Sequence, residues 1–110
     1  MSAQGVLLVL STVPTVDKGA EIARTLVEEK LAACVNILPG VRSIYTWKGE
    51  LCDDAEALCL LKTREELFPA LRERLVSLHP YEVPEIIALP LAAGHSPYLE
   101  WLLASTRAAR

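Results

Sequence analysis

Two strand patterns, each followed by a helix pattern, constrain the fold of this chain more than any other feature. The first segment, "VLLVL" at residues 6–10, is typical of a strand that is buried on both faces. From Val16 onward, apolar residues three to four positions apart predict a helix, with Asp17 near its start and Lys30 near its end. We therefore expect the first strand at the centre of a sheet.

The middle of the chain has the pattern of a long β-hairpin. Strand character returns in "ACVNIL" at residues 33–38, and Pro39 with Gly40 predicts a bulge there. The extended pattern then resumes as far as a tight turn, "KGE" at residues 48–50. In the return limb, successive side chains alternate between apolar and mixed sets, as they do on the two faces of a strand. We predict a hairpin arm that extends beyond the end of the sheet.

The second helix and strand complete the order of elements. The helix pattern runs to Leu78, and because Pro69 is tolerated only in a first turn, we expect the helix to begin near Glu66. "PEIIALPL", from Pro84, predicts the last strand, and "SPYLEWLLAS" predicts a short terminal helix. The order β-α-β-β-α-β plus a C-terminal helix predicts an α+β, ferredoxin-like split β-α-β sandwich. Its helices should cover one face of a four-stranded antiparallel sheet.

Composition narrows the class of protein. A chain of 110 residues with 52% apolar residues matches a single domain over residues 1–110. The net charge of -3 and the scattered basic residues argue against nucleic acid as a partner. The N-terminal apolar run lacks a basic region and is too short to span a bilayer, so we expect no membrane partner and a cytoplasmic location.

No catalytic or metal-binding signature of known spacing occurs, and we expect the chain not to be an enzyme. The loop after the first strand begins with Ser11 and has no thiol, which excludes a C-x-x-C copper site there. A thiol–imidazole pair of Cys34 with His79 stays open as an alternative, because such partners meet only in space. The adjacent Asp53 and Asp54 are typical of a solvated charge pair on a hairpin.

The stretch "HPYEVPE" at residues 79–85 has two interpretations. His79 and Glu85 are residue types that together can hold a divalent cation. Pro80 and Pro84 would instead only stiffen a turn, with His79 contacting the carbonyls at the end of a helix.

The predicted arm carries Ile44, Tyr45, Trp47 and Leu51, which a single chain would leave in water. Tyrosine and tryptophan bury roughly 150 to 250 Å² each. At about 25 cal/mol per Å², Tyr45 and Trp47 together represent roughly 8 to 12 kcal/mol as an upper bound. Tyr45 and Trp47 are therefore candidate interface residues.

Four motifs together resemble the CutA family of divalent-cation tolerance proteins. They are "EKLAACVNILPGVRSIYTWKGEL", "LKT", "HPYEVPEIIALP" and "YLEWL", and the resemblance extends over residues 6–104. It implies a ferredoxin-like subunit in a tight homotrimer, with the arm reaching a neighbouring subunit. It also implies a cytoplasmic protein that acts in tolerance of copper and other divalent metals, without catalysis.

The resemblance also implies candidate ligands. Family metal sites are placed at a cysteine closing the first strand and at a His-His pair before Pro-Tyr, where this chain has Ser11 and Leu78-His79. We therefore expect weak binding of Cu(II) or another divalent cation by His79 and Glu85, rather than of Cu(I). The trimer is similar to that of the PII signalling proteins, which implies an alternative: a small-molecule signal bound in an inter-subunit cleft. Candidates for that cleft are Ser11, Lys62 and Tyr81.

Overall fold

The strands and helices follow one another in the predicted order. The computed structural model describes residues 5–108 of the chain. Its strands are β1 (Val6–Val13), β2 (Cys34–Trp47), β3 (Glu50–Arg64) and β4 (Ile87–Pro90), and its helices are α1 (Val16–Glu28), α2 (Phe68–Leu78) and α3 (Ser96–Ala104). The strands form one antiparallel sheet in the order β2-β3-β1-β4. The predicted ferredoxin-like α+β fold is confirmed.

Local sequence signals set both ends of α1. The hydroxyl of Thr15 accepts a hydrogen bond from the Lys18 amide at 3.0 Å, as an N-cap residue does. Beyond the helix, Lys30 has a left-handed backbone with φ of +59°. At Gly19 a β-carbon would lie only 3.1 Å from a methyl group of Val13, so the glycine allows close packing of α1 on the sheet.

The second helix begins so that Pro69 lies in its first turn. A single 3-10 turn at Glu65–Leu67 precedes α2, and Pro69 occupies the first turn of the α-helix, where its missing N–H leaves no intrahelical bond unmade. Leu71 and Leu75 are buried against the sheet. No helix within residues 5–108 has both the length and the apolar character needed to cross a bilayer.

The two long helices cover one face of the sheet only. On that face Val9, Val13 and Leu61 are essentially inaccessible to solvent, packed beneath α1 and α2. The helix α3 lies at the end of the sheet opposite the arm, where Leu99 and Leu102 pack near Val6.

The other face, which we call the open face, is also apolar. Cross-strand pairing places together Leu8, Leu10, Leu38, Leu58, Leu60, Ile87 and Leu89. All of them are half-buried or exposed in the single chain. A sheet whose two faces are both apolar needs a layer on each face. Among the described residues, α1 and α2 supply only one of these layers.

The hairpin of β2 and β3 forms the predicted arm. A register shift between Leu38 and Val41 marks the predicted bulge, and Gly40 has φ of +75° there. At the tip, Lys48 and Gly49 both have positive φ, the conformation of a two-residue type I′ turn. The arm makes the molecule long, about 44 × 25 × 22 Å.

The last strand is shorter than the sequence pattern predicts. β4 begins at Ile87 rather than at Pro84, and it pairs only with residues 7–10 of β1. Further along β1, the carbonyl of Thr12 accepts a hydrogen bond from the His79 ring. The segment before Ile87 is thus a loop across the end of the sheet.

Two buried hydroxyls differ in their hydrogen bonding. Ser11 and Thr63 are both 0% exposed. The Thr63 hydroxyl donates to the Leu31 carbonyl at 2.7 Å, whereas that of Ser11 has no partner among the described residues. Because an unpaired buried hydroxyl costs free energy, the two should respond differently to removal.

We expect Ser11→Ala to leave the free energy of unfolding unchanged or to raise it by up to about 1 kcal/mol. The matched variant Thr63→Val should lower it by roughly 1 to 2 kcal/mol, since the Leu31 carbonyl loses its donor. Denaturant unfolding at fixed protein concentration measures both changes. A loss for Ser11→Ala as large as that for Thr63→Val would show that Ser11 has a partner.

Candidate functional site

A groove lies between the arm and the loop of residues 79–85. Its volume is about 690 Å³. It is lined by Thr12, Ser43, Ile44, Tyr45, Trp47, Glu56, Pro80, Tyr81, Glu82, Val83 and Glu85. Alternation along β3 puts Glu56 on the same face as Leu58 and Leu60. The groove therefore borders the open face.

His79 holds the loop in place. It follows the last residue of α2, and its own amide donates to the Leu75 carbonyl at 2.9 Å. Its ring atom Nδ1 accepts a hydrogen bond from the Tyr81 amide at 3.1 Å, so Nε2 carries the proton and donates to the Thr12 carbonyl at 2.8 Å. The residue as a whole is 8% exposed. Both ring nitrogens are thus engaged in joining the loop to β1.

Two phenols of the groove donate to carboxylates of β3. The Tyr81 hydroxyl lies 2.5 Å from a Glu56 oxygen, and the Tyr45 hydroxyl lies 2.5 Å from an Asp54 oxygen. Burial, together with the hydrogen bond to Glu56, raises the pKa of Tyr81. The hydrogen bond to Asp54 raises the pKa of Tyr45. Both phenols are therefore proton donors that stay neutral under ordinary conditions.

The lining carries negative charge. Its ionisable carboxylates are Glu56, Glu82 and Glu85, and it contains no lysine, arginine or histidine. On the arm, Lys48 has its Nζ 3.3 Å from a Glu82 oxygen and 5.6 Å from the centre of the Trp47 ring. Lys48 thus joins the tip of the arm to the loop across the groove.

The structure brings together some of the predicted site residues and separates others. Tyr45, Trp47, Tyr81 and Glu85 line the groove, and His79 lies directly behind it. Their roles as interface residues and ligands stay predictions.

The other two predicted cleft residues lie elsewhere. Ser11 is fully buried beside Cys59, on the face covered by the helices. Lys62 contacts Tyr98 of α3, with Nζ 3.3 Å from the hydroxyl. It is six residues along β3 from Glu56, roughly 20 Å at the rise of a strand.

The donors near the loop offer a metal ion an incomplete set. Glu85 is exposed and has no hydrogen-bond partner among the described residues, but His79 would have to release Thr12 or Tyr81 before it could ligate. No group of three or more His, Cys, Asp or Glu side chains suited to a metal occurs within residues 5–108. Tight copper coordination by one chain does not fit this arrangement.

The thiol–imidazole pair is not assembled. Cys34 pairs with Lys62 in the sheet, and Lys62 pairs in turn with Leu8. His79 contacts Thr12, four residues further along β1, which corresponds to about 13 Å. The other thiol near the core, Cys59, is buried, and burial raises its pKa.

Sequence reasoning missed the acidic wall of the groove. The sequence predicts a solvated charge at Asp54, and Asp54 is exposed, but it also accepts a hydrogen bond from Tyr45. Glu56 and Glu82, which line the groove, have no predicted role. Strand alternation was the available signal, because it places Asp54 and Glu56 on one face of β3. The crossing loop that brings Tyr81 to Glu56 had no signal in the sequence.

Comparison with known proteins gives a consistent result. A family model described as CutA1 divalent ion tolerance protein matches residues 7–105. The chain is similar to the divalent-cation tolerance protein CutA of Thermus thermophilus, with 56% identity over 99 residues that cover 90% of this chain and 96% of the relative. It is 50% identical to Protein CutA 1, chloroplastic, of Oryza sativa over 101 residues, which cover 92% of this chain and 57% of that relative.

Solved structures agree with the fold. The divalent cation tolerance protein (Cut A1) of Thermus thermophilus superimposes with a TM-score of 0.89 at 54% identity, covering 93% of this chain and 99% of that one. The crystal structure of CutA1 from Oryza sativa gives a TM-score of 0.90 at 50% identity, covering 93% of this chain and 94% of that one.

We predict that Tyr45 and Tyr81 ionise late. Tyrosines of an unfolded chain are half ionised at about pH 10. In the folded protein these two phenols should still be protonated there, because their pKa values are raised. The ultraviolet absorbance of tyrosinate measures this during a pH titration. Tyr45→Phe and Tyr81→Phe should each remove one late-ionising group, and ionisation of either phenol at the unfolded-chain pH would contradict the assignment.

The raised pKa of Tyr81 also makes the stability of the fold depend on pH. A folded-state pKa above the unfolded value contributes stability that is present below about pH 10 and is lost as the pH rises further. The free energy of unfolding should therefore fall more steeply above pH 10 in the parent than in Tyr81→Phe. Equal slopes would contradict the predicted linkage.

Proposed function

The chain belongs to the CutA1 divalent ion tolerance protein family, and on that basis we propose that it acts as a homotrimer in the response to divalent metal ions, without catalysis. The observation that carries the proposal is the uncovered apolar open face, bordered by an acidic groove. We propose a cytoplasmic location, although the name of the rice relative describes that protein as chloroplastic.

The open face supports assembly. Leu10 has Leu60 and Ile87 as cross-strand neighbours, and this apolar patch has no covering layer among the described residues. Packing the same face of other copies against it would remove it from water, at about 25 cal/mol per Å² of apolar area. The number of copies, three, comes from the family resemblance.

The arm supplies a second contact. Trp47 is 41% exposed and Leu51 is 77% exposed in the single chain, near the end of the two-stranded ribbon. Arg42 donates two hydrogen bonds to Asp53 across the ribbon, at 2.8 and 2.7 Å. An arm of this kind suits contact with a neighbouring subunit, and Tyr45 and Trp47 are its proposed interface residues.

We propose that divalent cations bind weakly near Glu85. Oxygen donors of the groove offer charge compensation, and His79 could add a nitrogen only by releasing Thr12 or Tyr81. With Ser11 buried and no thiol in the groove lining, a soft donor for Cu(I) is lacking. Cu(II) is therefore the copper state expected to bind.

A second candidate function has its own support. Because the groove borders the open face, a neighbouring copy packed on that face would form part of its wall. A cleft completed between subunits could hold a small organic signal, as implied by the similarity to PII proteins. Tyr81 would then line the cleft. Lys62 lies too far from Glu56 to share it within one chain and would have to come from the neighbour.

Assembly is tested by placing a charge on the open face. Leu89 is 49% exposed on β4, and Val76 is 46% exposed on the outer side of α2. We expect Leu89→Lys to lower the trimer fraction on dilution, and the matched Val76→Lys to leave it unchanged. Sedimentation measures both. Trp47→Ala should weaken the trimer as well. An unchanged trimer in both Leu89→Lys and Trp47→Ala would refute the proposed interface.

Metal binding is tested by unfolding with and without Cu(II). At about a hundred times its Kd, Cu(II) should raise the free energy of unfolding by roughly 2.7 kcal/mol per site. Glu85→Gln should lose most of this increment, and Glu28→Gln, an exposed glutamate on α1, should keep it. His79→Ala should also lose it, although that change loosens the loop too. No increment in the parent at millimolar Cu(II) would refute the metal site.

A further inference from the structure

The groove combines negative charge with aromatic side chains. The carboxylates are Glu56, Glu82 and Glu85, and the aromatic residues are Tyr45, Trp47 and Tyr81. Aromatic rings and carboxylates both attract cations, the rings through the negative charge of their faces. The lining itself offers phosphate-bearing and other anionic ligands no lysine, arginine or histidine, and the Lys48 ammonium beside it is already paired with Glu82. The negative charge of the lining therefore favours a cationic ligand over an anionic one.

The arm already presents one such cation. The Lys48 ammonium lies 3.3 Å from Glu82 and 5.6 Å from the Trp47 ring centre, within the range of a cation–π contact. Lys48 holds this position with a left-handed backbone, φ of +51°. It neutralises one of the three lining carboxylates, and among the described residues Glu85 is left without a partner. The site thus accommodates a primary ammonium group and retains charge for another.

The dimensions favour an organic cation over a tightly coordinated metal ion. A volume of about 690 Å³ is in the usual range of pockets for small organic ligands. A metal ion needs several donor atoms converging at little more than about 2 Å. The part of the chain that the structure describes has no three-membered donor cluster of that kind.

We propose that the groove binds small organic ammonium cations and that Lys48 competes with them for Glu82 and Trp47. The inference rests on the second candidate function, a cleft for a small organic ligand, and it names the class of that ligand. Binding of a cation displaces Lys48 and so releases the tip of the arm from the loop.

The probe is n-butylammonium, which is the side chain of lysine without its backbone. Its neutral control is n-butanol and its anionic control is butyrate, all at constant ionic strength in the intact full-length protein. The readout is the indole N–H resonance of Trp47, assigned with Trp47→Phe. Trp101 of α3 lies outside the groove lining and serves as the internal reference. We expect n-butylammonium alone to shift the Trp47 resonance in a saturable way.

Two lysines make a matched pair of variants. Lys48 and Lys30 both have positive φ, so asparagine, which tolerates this conformation, removes the same charge from the same backbone geometry. Lys48→Asn should lower the Kd for n-butylammonium about fivefold, because the ligand no longer has to displace Lys48. This factor corresponds to the combined free energy of one exposed ion pair and one cation–π contact. Lys30→Asn should leave it unchanged. Glu85→Gln should raise the Kd by a similar factor.

The outcomes separate this inference from the function it rests on. A shift of Trp47 by butyrate or butanol, but not by n-butylammonium, overturns the ammonium class and leaves a ligand cleft in place. No shift with any probe overturns the ammonium site and counts against the cleft as well. Equal Kd values for n-butylammonium in Lys48→Asn and Lys30→Asn would show that Lys48 does not compete for the site.

Discussion

The structure depends on one imbalance: its sheet has two apolar faces, and the two long helices of the chain cover one. β1 shows this most directly, since Val9 is fully buried under the helices while Leu8 and Leu10 on the reverse side are only half-buried. Exposed apolar area of this extent is a driving force for association. The same strand therefore serves both the fold of the subunit and the proposed assembly.

The groove arises from the same sheet. Along β3, alternating side chains enter the core, as Cys59 does, or reach the open face, as Leu60 does. Towards the arm, Glu56 and Asp54 replace the leucines on the open face and receive hydrogen bonds from Tyr81 and Tyr45. Apolar surface thus passes into an acidic site along a single strand, which places that site at the edge of the proposed subunit contact.

Electrostatics then define what the site can hold. The lining has carboxylates and neutral phenols, and the Lys48 side chain on the arm provides a cation that reaches it. His79 contributes through structure, because its two ring nitrogens fasten the loop that carries Tyr81 and Glu85. The family is named for divalent ions, and the acidic groove attracts positive charge, so both concern cations.

The order of elements, the bulge after Leu38, the placement of Pro69 in the first turn of α2 and the family were all determined by the sequence, because each depends on local backbone preferences or contiguous motifs. The groove depends on contacts between residues distant in the chain. Tyr81 meets Glu56 and Lys48 meets Glu82 only once the loop crosses the sheet. The periodicity of a sequence indicates on which face of a sheet a side chain lies, but not which loop lies over that face. Only tertiary structure could decide that.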